Sequence, residues 1–276
     1  MRRSYLKWAG GKARIAEQIL SYVPMSSFRL VEPFVGSGAF SLNASDRANG
    51  FLLSDINPDL INLHEMVVND PDGLVDDLNV LFRPEHNNKE SYISLRTAFN
   101  RTTDQRRRST MFLYLNKHGF NGLCRYNASG GFNVPFGDMK SPKVPEKEIR
   151  NFSESLKNAD FRVQGFETII SESGPGDLLY CDPPYAPLSE TASFASYAKS
   201  GFGEQEQRQL AKACEEASER GAFVIISNHD THFTREIYKN ASDIISLDVK
   251  RSVSASGGSR NKAKEILAIM APSTCK

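Results

Sequence analysis

What is missing from this 276-residue chain narrows its identity first. No apolar run approaches the roughly 20 residues that a bilayer-crossing helix needs. The N-terminus also lacks the apolar core of a secretory signal. A membrane or exported protein is therefore not expected. The four cysteines, Cys124, Cys181, Cys214 and Cys275, are widely separated and form no Cys-x-x-Cys pair. Neither a zinc site nor a disulfide frame is indicated, and free thiols in a reducing cytoplasm are the simplest expectation. There is no internal repeat, no low-complexity tract and no linker long enough to separate independent domains. With 39% apolar and 24% charged residues, the composition fits a soluble globular protein. The length allows one large domain or a core carrying a sizeable insertion.

Net charge is nearly absent too, at +1, but the charges are not evenly spread. Arg96, Arg101, Arg106, Arg107, Arg108, Lys117 and Arg125 stand against Asp104 alone. Lys250, Arg251, Arg260, Lys262 and Lys264 have no acid among them, whereas nine acids lie between Asp55 and Glu90. A charge run is usually a solvated face. Two basic stretches on either side of a candidate reaction site make a phosphate-binding surface the better reading.

That candidate site is Leu178-Leu179-Tyr180-Cys181-Asp182-Pro183-Pro184-Tyr185. The apolar run reads as a buried strand, stopped by two prolines that lack backbone donors. A strand ending in a rigid turn with a surface Asp is the plain alternative. The chemical reading is methylation of an exocyclic amine, a poor nucleophile because its lone pair is delocalised. The Asp182 carboxylate and the Pro183 carbonyl can both accept from the amine and stabilise the charge that develops on nitrogen. Tyr185 can stack on the base. This chemistry calls for no metal.

Earlier in the chain, Leu6-Lys7-Trp8-Ala9-Gly10-Gly11-Lys12 permits close backbone approach to a ligand, with Lys12 able to neutralise a carboxylate. It is too short for a P-loop. Trp8, the single tryptophan, taken alone reads as a core or lid residue. Leu30 to Phe40 reads as strand, glycine turn and helix, with Gly36, Ser37 and Gly38 in the turn. Nineteen residues after Gly36, a second strand ends at Asp55, where an acid can hold a ribose diol. Ser41 stands where a dinucleotide fingerprint wants its third glycine, which counts against a dehydrogenase.

From Ile56 to Pro145 the pattern is mostly helical and ends in a glycine- and asparagine-rich stretch, His118 to Gly137, that reads as a hairpin. Its Arg, Asn and aromatic residues are those that read guanine, read adenine and fill the gap of a flipped base. Further strands are expected at Phe161–Phe166, Phe223–Asp230, Ile244–Val249 and Glu265–Met270, with a helix from Glu204 to Arg220. Ser189 to Gly203 reads as a mobile lid and Arg251 to Lys264 as a basic loop. His229 at a strand end reads as structural.

Together these stretches resemble the DNA adenine methylase (Dam) family of N6-adenine methyltransferases, over nearly the full length and in the same motif order. The resemblance implies an α/β, Rossmann-like class I methyltransferase domain (1–55 and 146–276). A mostly helical target-recognition insertion with a β-hairpin loop (56–145) interrupts it. It implies methyl transfer from S-adenosylmethionine to adenine N6 in double-stranded DNA, typically within GATC. It also implies a monomer at the nucleoid of a bacterial or phage-infected cell.

By position, Trp8, Lys12, Asp55 and Asp182 look like the donor-binding set, completed by Ala9, Gly10, Phe34, Gly36, Ser37 and Gly38. Asp182, Pro183 and Tyr185 look like the catalytic motif. Arg125 resembles the guanine-reading arginine, with Leu123 and Pro135 as apolar base contacts. Lys7 resembles the residue that reaches the outer guanine, while Arg96 and Asn127 line the same surface. Phe120 takes the place of an aromatic wedge, with Asn121 at the orphaned thymine.

Phe120 departs from the expected Tyr, and Asp138 stands where a basic residue is expected, which weakens contact with the DNA backbone. RNA or a protein amide as substrate, a silent DNA-binding module, and an oxidoreductase are the competing readings.

Overall fold

Leu178 to Cys181 are wholly buried, as a strand covered on both faces requires. They lie in the middle of the sheet. The computed structural model describes residues 1–12, 15–186, 202–249 and 263–272. In chain order come α1 (Ala16–Leu20), β1 (Ser27–Glu32), α2 (Ala39–Asn43) and β2 (Ala48–Asp55). Next are α3 (Pro58–Asn69), α4 (Pro71–Leu81), α5 (Lys89–Phe99), α6 (Gln105–His118) and α7 (Glu146–Ser155). Then follow β3 (Ala159–Val163), α8 (Phe166–Ser171), β4 (Asp177–Cys181), α9 (Glu204–Glu219) and β5 (Phe223–His229). The chain closes with α10 (His232–Ile237), β6 (Asp243–Val249) and β7 (Ala263–Met270).

The strand order is β3-β2-β1-β4-β5-β7-β6. β1 pairs in parallel with β2 and β4, and β4 with β5, while β7 runs antiparallel to both β5 and β6. This is the Rossmann-like α/β sheet expected from the sequence, with its strand order reversing between β1 and β4. Ligands of such sheets gather at the carboxyl ends of the strands near that reversal. β4 ends there at Cys181, directly before Asp182.

Chain contacts divide into two units: Met1–Glu17, Val35–Asp46 and Asp55–Val163 form the first, and Gln18–Phe34, Arg47–Ser54 and Gln164–Lys276 the second. The second unit's core packs Val31, Leu52, Leu179, Val224 and Ile266 against Ile169, Leu210 and Cys214 of the helices. The first unit buries Leu60, Leu63, Leu74, Leu78, Phe99 and Phe112.

Its helices start where the sequence offers a cap. Asn57, Asp70, Asn88 and Asp104 each accept from a backbone N–H of the first turn, with Pro58 and Pro71 opening α3 and α4. The hairpin after α6 forms only isolated bridges, Gly119 to Phe136 and Tyr126 to Phe132. Pro135 cannot donate to a continuous ladder.

Two expectations change. The strand expected at Phe161–Phe166 ends at Val163, because extended Gly165 caps α8 and puts Phe166 at its first position. The basic run narrows as a phosphate surface. Arg106 pairs with Asp70 and Asp77 at 2.7 Å, and Arg108 grips Asp59, so acids between Asp55 and Glu90 neutralise it from within. The lid expected at Ser189–Gly203 falls, but for Phe202 and Gly203, outside the described residues, as does 251–262 of the basic loop.

Candidate active site

In the first unit the glycine turn closes on Asp55. The Gly36 N–H donates to Asp55 Oδ2 at 3.2 Å and the Asn57 N–H to Oδ1 at 3.0 Å. Burial pushes the Asp55 carboxyl up, while the backbone donors of Asn57, Gly36 and Ile56 pull it back. A carboxylate offers about four acceptor directions, so these donors leave capacity for a ligand hydroxyl. Gly36 has φ +48°, and a Cβ there would lie 2.8 Å from Trp8 Nε1. Gly38 has φ +64°, and its Cβ would lie 2.7 Å from Phe152. Both positions need glycine for conformation and for space.

The remaining donor-site candidates of this unit lie along the same segments. Ser37 lends its carbonyl to the Ser4 hydroxyl at 2.7 Å. Lys12 is buried and donates to the Gly10 carbonyl at 2.9 Å, closing its own loop beside exposed Ala9.

Beneath the turn sits His64, fully buried between Phe152 and Phe161. Its Nε2 is 2.8 Å from the Gly36 carbonyl, and its Nδ1 is 2.6 Å from the Tyr5 hydroxyl. A carbonyl can only accept, so Nε2 carries the proton and Nδ1 accepts from Tyr5. The Gly36 peptide is thus clamped at both ends, by Asp55 and by His64.

Burial lowers His64 to about 4 and, from α6, His118 also to about 4. In the unfolded chain each takes its proton near 6.5. Between these values the unfolded state binds more protons. The stabilisation is therefore complete above about 6.5 and is lost as pH falls towards 4. We expect the melting temperature to drop across that window and His64→Gln to flatten part of the slope. An unchanged slope in the variant contradicts a neutral, buried imidazole.

The recognition candidates also lie in the first unit. Phe120 is 50% exposed in the short turn that follows α6, and Asn121 adopts φ +53° beside it. Leu123 is half-buried, while Arg125, Asn127 and Pro135 are exposed. The Arg125 guanidinium donates to Asn133 Oδ1 at 2.7 Å and to the Asn133 carbonyl at 3.1 Å. Asn127 Oδ1 accepts from the Ser129 and Gly131 N–H groups, folding the tip on itself. Arg96 donates to the Val134 carbonyl at 2.8 Å, so one of its nitrogens braces the hairpin from below. Lys7 Nζ donates to the Lys117 carbonyl at 3.2 Å, while Asn116 grips the Lys7 backbone on both sides.

In the second unit Asp182 leaves β4 with Oδ1 shielded from solvent. Its negative field adds to burial in pushing the Tyr180 and Tyr185 phenols well up. The Tyr185 hydroxyl donates to Glu265 Oε2 at 2.8 Å, and its ring meets His229 edge-on at 4.7 Å. His229 Nδ1 lies 2.7 Å from the Ala186 carbonyl and so carries that proton. Gln207 Nε2 donates to the Pro184 carbonyl at 2.7 Å. Buried Asn228 joins Gln207 Oε1, the Ala186 N–H and the Tyr238 hydroxyl at 2.9 to 3.1 Å. The loop after Asp182 is thereby held from α9, β5 and β7. Phe34, by contrast, packs its ring against Phe166 and Phe202, each at 5.6 Å, within the core of this unit.

The profile of the D12 class N6 adenine-specific DNA methyltransferase family matches residues 8–253. The chain belongs to that family. It is 45% identical over 271 residues to a DNA adenine methylase of Vibrio cholerae, covering 98% of this chain and 96% of that one. It is 44% identical over 270 residues to the DNA adenine methylase of Escherichia coli K12, with the same coverage. Among solved structures, a putative methyltransferase of Streptococcus mutans in complex with SAH aligns over 92% of this chain and 96% of its own. That alignment has 9% identity and a TM-score of 0.37.

As an N6 adenine-specific DNA methyltransferase the chain acts on DNA and uses S-adenosylmethionine as methyl donor. No described helix is long and apolar enough to cross a membrane.

Several side chains that brace this methyltransferase's candidate site went unread in the sequence. Glu265 was absorbed into a closing strand, although one acid in an apolar run was a signal. Asn228 lay inside a stretch matched to the family without a role of its own. Gln207 and His64 had no signal, because only burial separates them from ordinary helix residues.

Proposed function

We propose that the chain methylates adenine N6 within GATC of double-stranded DNA after the base turns out of the helix. Residues 56–145 act as the target-recognition insertion, and 1–55 with 146–276 as the donor-binding and catalytic part. What carries the reading at the catalytic loop is the Gln207 bond to Pro184. Of two successive prolyl carbonyls, that of Pro184 is engaged inward, which supports Pro183 as the carbonyl that accepts beside Asp182. Two acceptors match the two hydrogens of one amino group.

The role of each residue follows from elementary chemistry. S-adenosylmethionine supplies a methyl group activated by its sulfonium. Asp182 and Pro183 draw the two N–H bonds towards themselves, so the nitrogen lone pair leaves conjugation and points at that carbon. When bound, the donor would give up its methyl carbon to that lone pair, its sulfur keeping the S–C electron pair as a neutral thioether. Positive charge appears on N6 next to the carboxylate, which stabilises it. The extra proton then passes from the nitrogen to solvent water. Tyr185, held by Glu265 and His229, offers the stacking face.

For the donor, Asp55 holds the diol. Gly36, Ser37 and Gly38 make the close backbone contact, and Trp8, Ala9, Gly10, Lys12 and Phe34 complete the site. On the DNA, Phe120 fills the gap and Asn121 meets the orphaned thymine. Lys7 and Arg125 read guanines, Leu123 and Pro135 make apolar base contacts, and Arg96 and Asn127 line the same surface.

Arg125→Ala is expected to relax discrimination at one guanine by about 1–3 kcal/mol. Competition between duplexes altered at each base in turn checks this, and an unchanged profile removes the role. The deciding experiment is transfer from labelled S-adenosylmethionine to a duplex with one GATC against a GATT control. Transfer to GATC alone is expected. Equal transfer to both overturns the target. Donor binding without transfer to either duplex overturns this substrate assignment.

A further inference from the structure

We propose that Asp59 and Tyr126 are positioning residues that fasten the recognition hairpin to the turn carrying Asp55, linking donor binding to base reading. The inference rests on the function proposed above and gives a role to side chains outside the donor and base-contact sets.

Asp59 is 4% exposed and stands at the second position of α3. Its carboxylate accepts from Arg108 through both Nε and Nη2, and from the Tyr126 hydroxyl at 2.6 Å. Arg108 is itself fixed. It donates to the Phe99 carbonyl at 2.9 Å and the Thr102 carbonyl at 3.2 Å, and lies 4.2 Å over the Phe99 ring. The Tyr126 hydroxyl therefore bonds to a carboxylate that cannot swing away. Such charge-assisted bonds are short and strong in a dry setting.

A second tie runs in parallel. Asn57 Nδ2 donates to Cys124 Sγ at 3.4 Å, while Asn57 Oδ1 caps α3 through the Asp59 and Leu60 N–H groups. The Asn57 N–H in turn bonds Asp55 Oδ1 at 3.0 Å. Asp55 serves the glycine turn, and Asn57 and Asp59 serve the hairpin. Both attachments thus lie within the five-residue segment Asp55 to Asp59.

The hairpin's extended backbone decides what this attachment controls. Successive side chains of an extended strand point to opposite faces. Tyr126 turns inward, its ring edge-on to Phe132 at 5.6 Å, and its neighbours Arg125 and Asn127 are exposed. Holding the Tyr126 hydroxyl sets the phase of the strand and so the direction of Arg125 and Asn127. A shift in the Asp55 turn on donor binding is carried to them through Asn57 and Asp59. Coupling of this kind is reciprocal, so cognate DNA must change donor affinity by the same factor.

Tyr126→Phe removes one hydroxyl and leaves the ring on Phe132, and Asp59→Asn tests the same tie from the other side. We compare transfer by the full chain on GATC and single-substituted duplexes, and measure S-adenosylmethionine affinity with and without the GATC duplex. Tyr126→Phe is expected to keep the free-enzyme donor affinity within about twofold and to lose about tenfold in discrimination. It is also expected to lose the change in donor affinity that the duplex brings.

A Tyr126→Phe protein with wild-type discrimination and wild-type coupling overturns the proposal, even if its melting temperature falls. A wild-type enzyme whose donor affinity ignores the duplex overturns it as well. Equal wild-type transfer to GATC and GATT overturns the target reading alone. Loss of the donor–duplex coupling in Tyr126→Phe then still decides the tie.

Discussion

Replacing Asp182 by Ala is expected to slow methyl transfer by about 10²–10³-fold, the loss typical when a preorganised group facing developing charge is removed. Two effects combine. The amine loses the acceptor that draws its lone pair out of conjugation, and the cation forming on nitrogen loses its adjacent negative charge. The surrounding loop keeps other ties, because Gln207, Asn228 and Glu265 hold Pro184, Ala186 and Tyr185. The variant should therefore fold and retain DNA. Single-turnover transfer measured beside a gel-shift titration checks the outcome. Wild-type transfer in Asp182→Ala would refute the proposed role.

The second large effect is expected at Asp55. Asp55→Ala removes the proposed acceptor of the donor's diol and also strands the Gly36 and Asn57 N–H groups that it satisfies. A hydrogen bond to a charged group contributes roughly 1.5–3 kcal/mol. Losing two of them corresponds to a fall in S-adenosylmethionine affinity of about 10²-fold or more. Asp55→Asn keeps an oxygen for one backbone donor and should fall between the two. Calorimetric titration with S-adenosylmethionine reads both variants. An Ala variant that binds the donor normally would move the diol site elsewhere.

Patterns confined to a few neighbouring residues were legible in the sequence. The apolar run before Asp182, the glycine turn after β1, and Asp55 at the end of β2 each carry their signal within about ten residues. The Gly165 cap was misread because an aromatic after a glycine continues a strand pattern as readily as it opens a helix. The basic run from Arg96 to Arg125 misled for a different reason. Charge composition does not say whether an arginine faces solvent or an acid from another helix, and Arg106 and Arg108 face acids.

What remained hidden was long-range. His64 reaches the glycine turn and Gln207 reaches Pro184 only after helices have packed. Glutamine and histidine on a helix look alike in sequence whether they brace a catalytic loop or lie in water.

The bond between Tyr185 and Glu265 spans 80 residues of chain. It can form only when β7 has slipped antiparallel between β5 and β6, a non-local closure of the kind that folds slowly. During synthesis, at about 5–20 residues per second, Glu265 follows Tyr185 by roughly 4–16 s. Through that interval the Tyr185 hydroxyl lacks its Glu265 acceptor. On the ribosome, then, the bracing of this loop is completed late, with the last strand of the sheet.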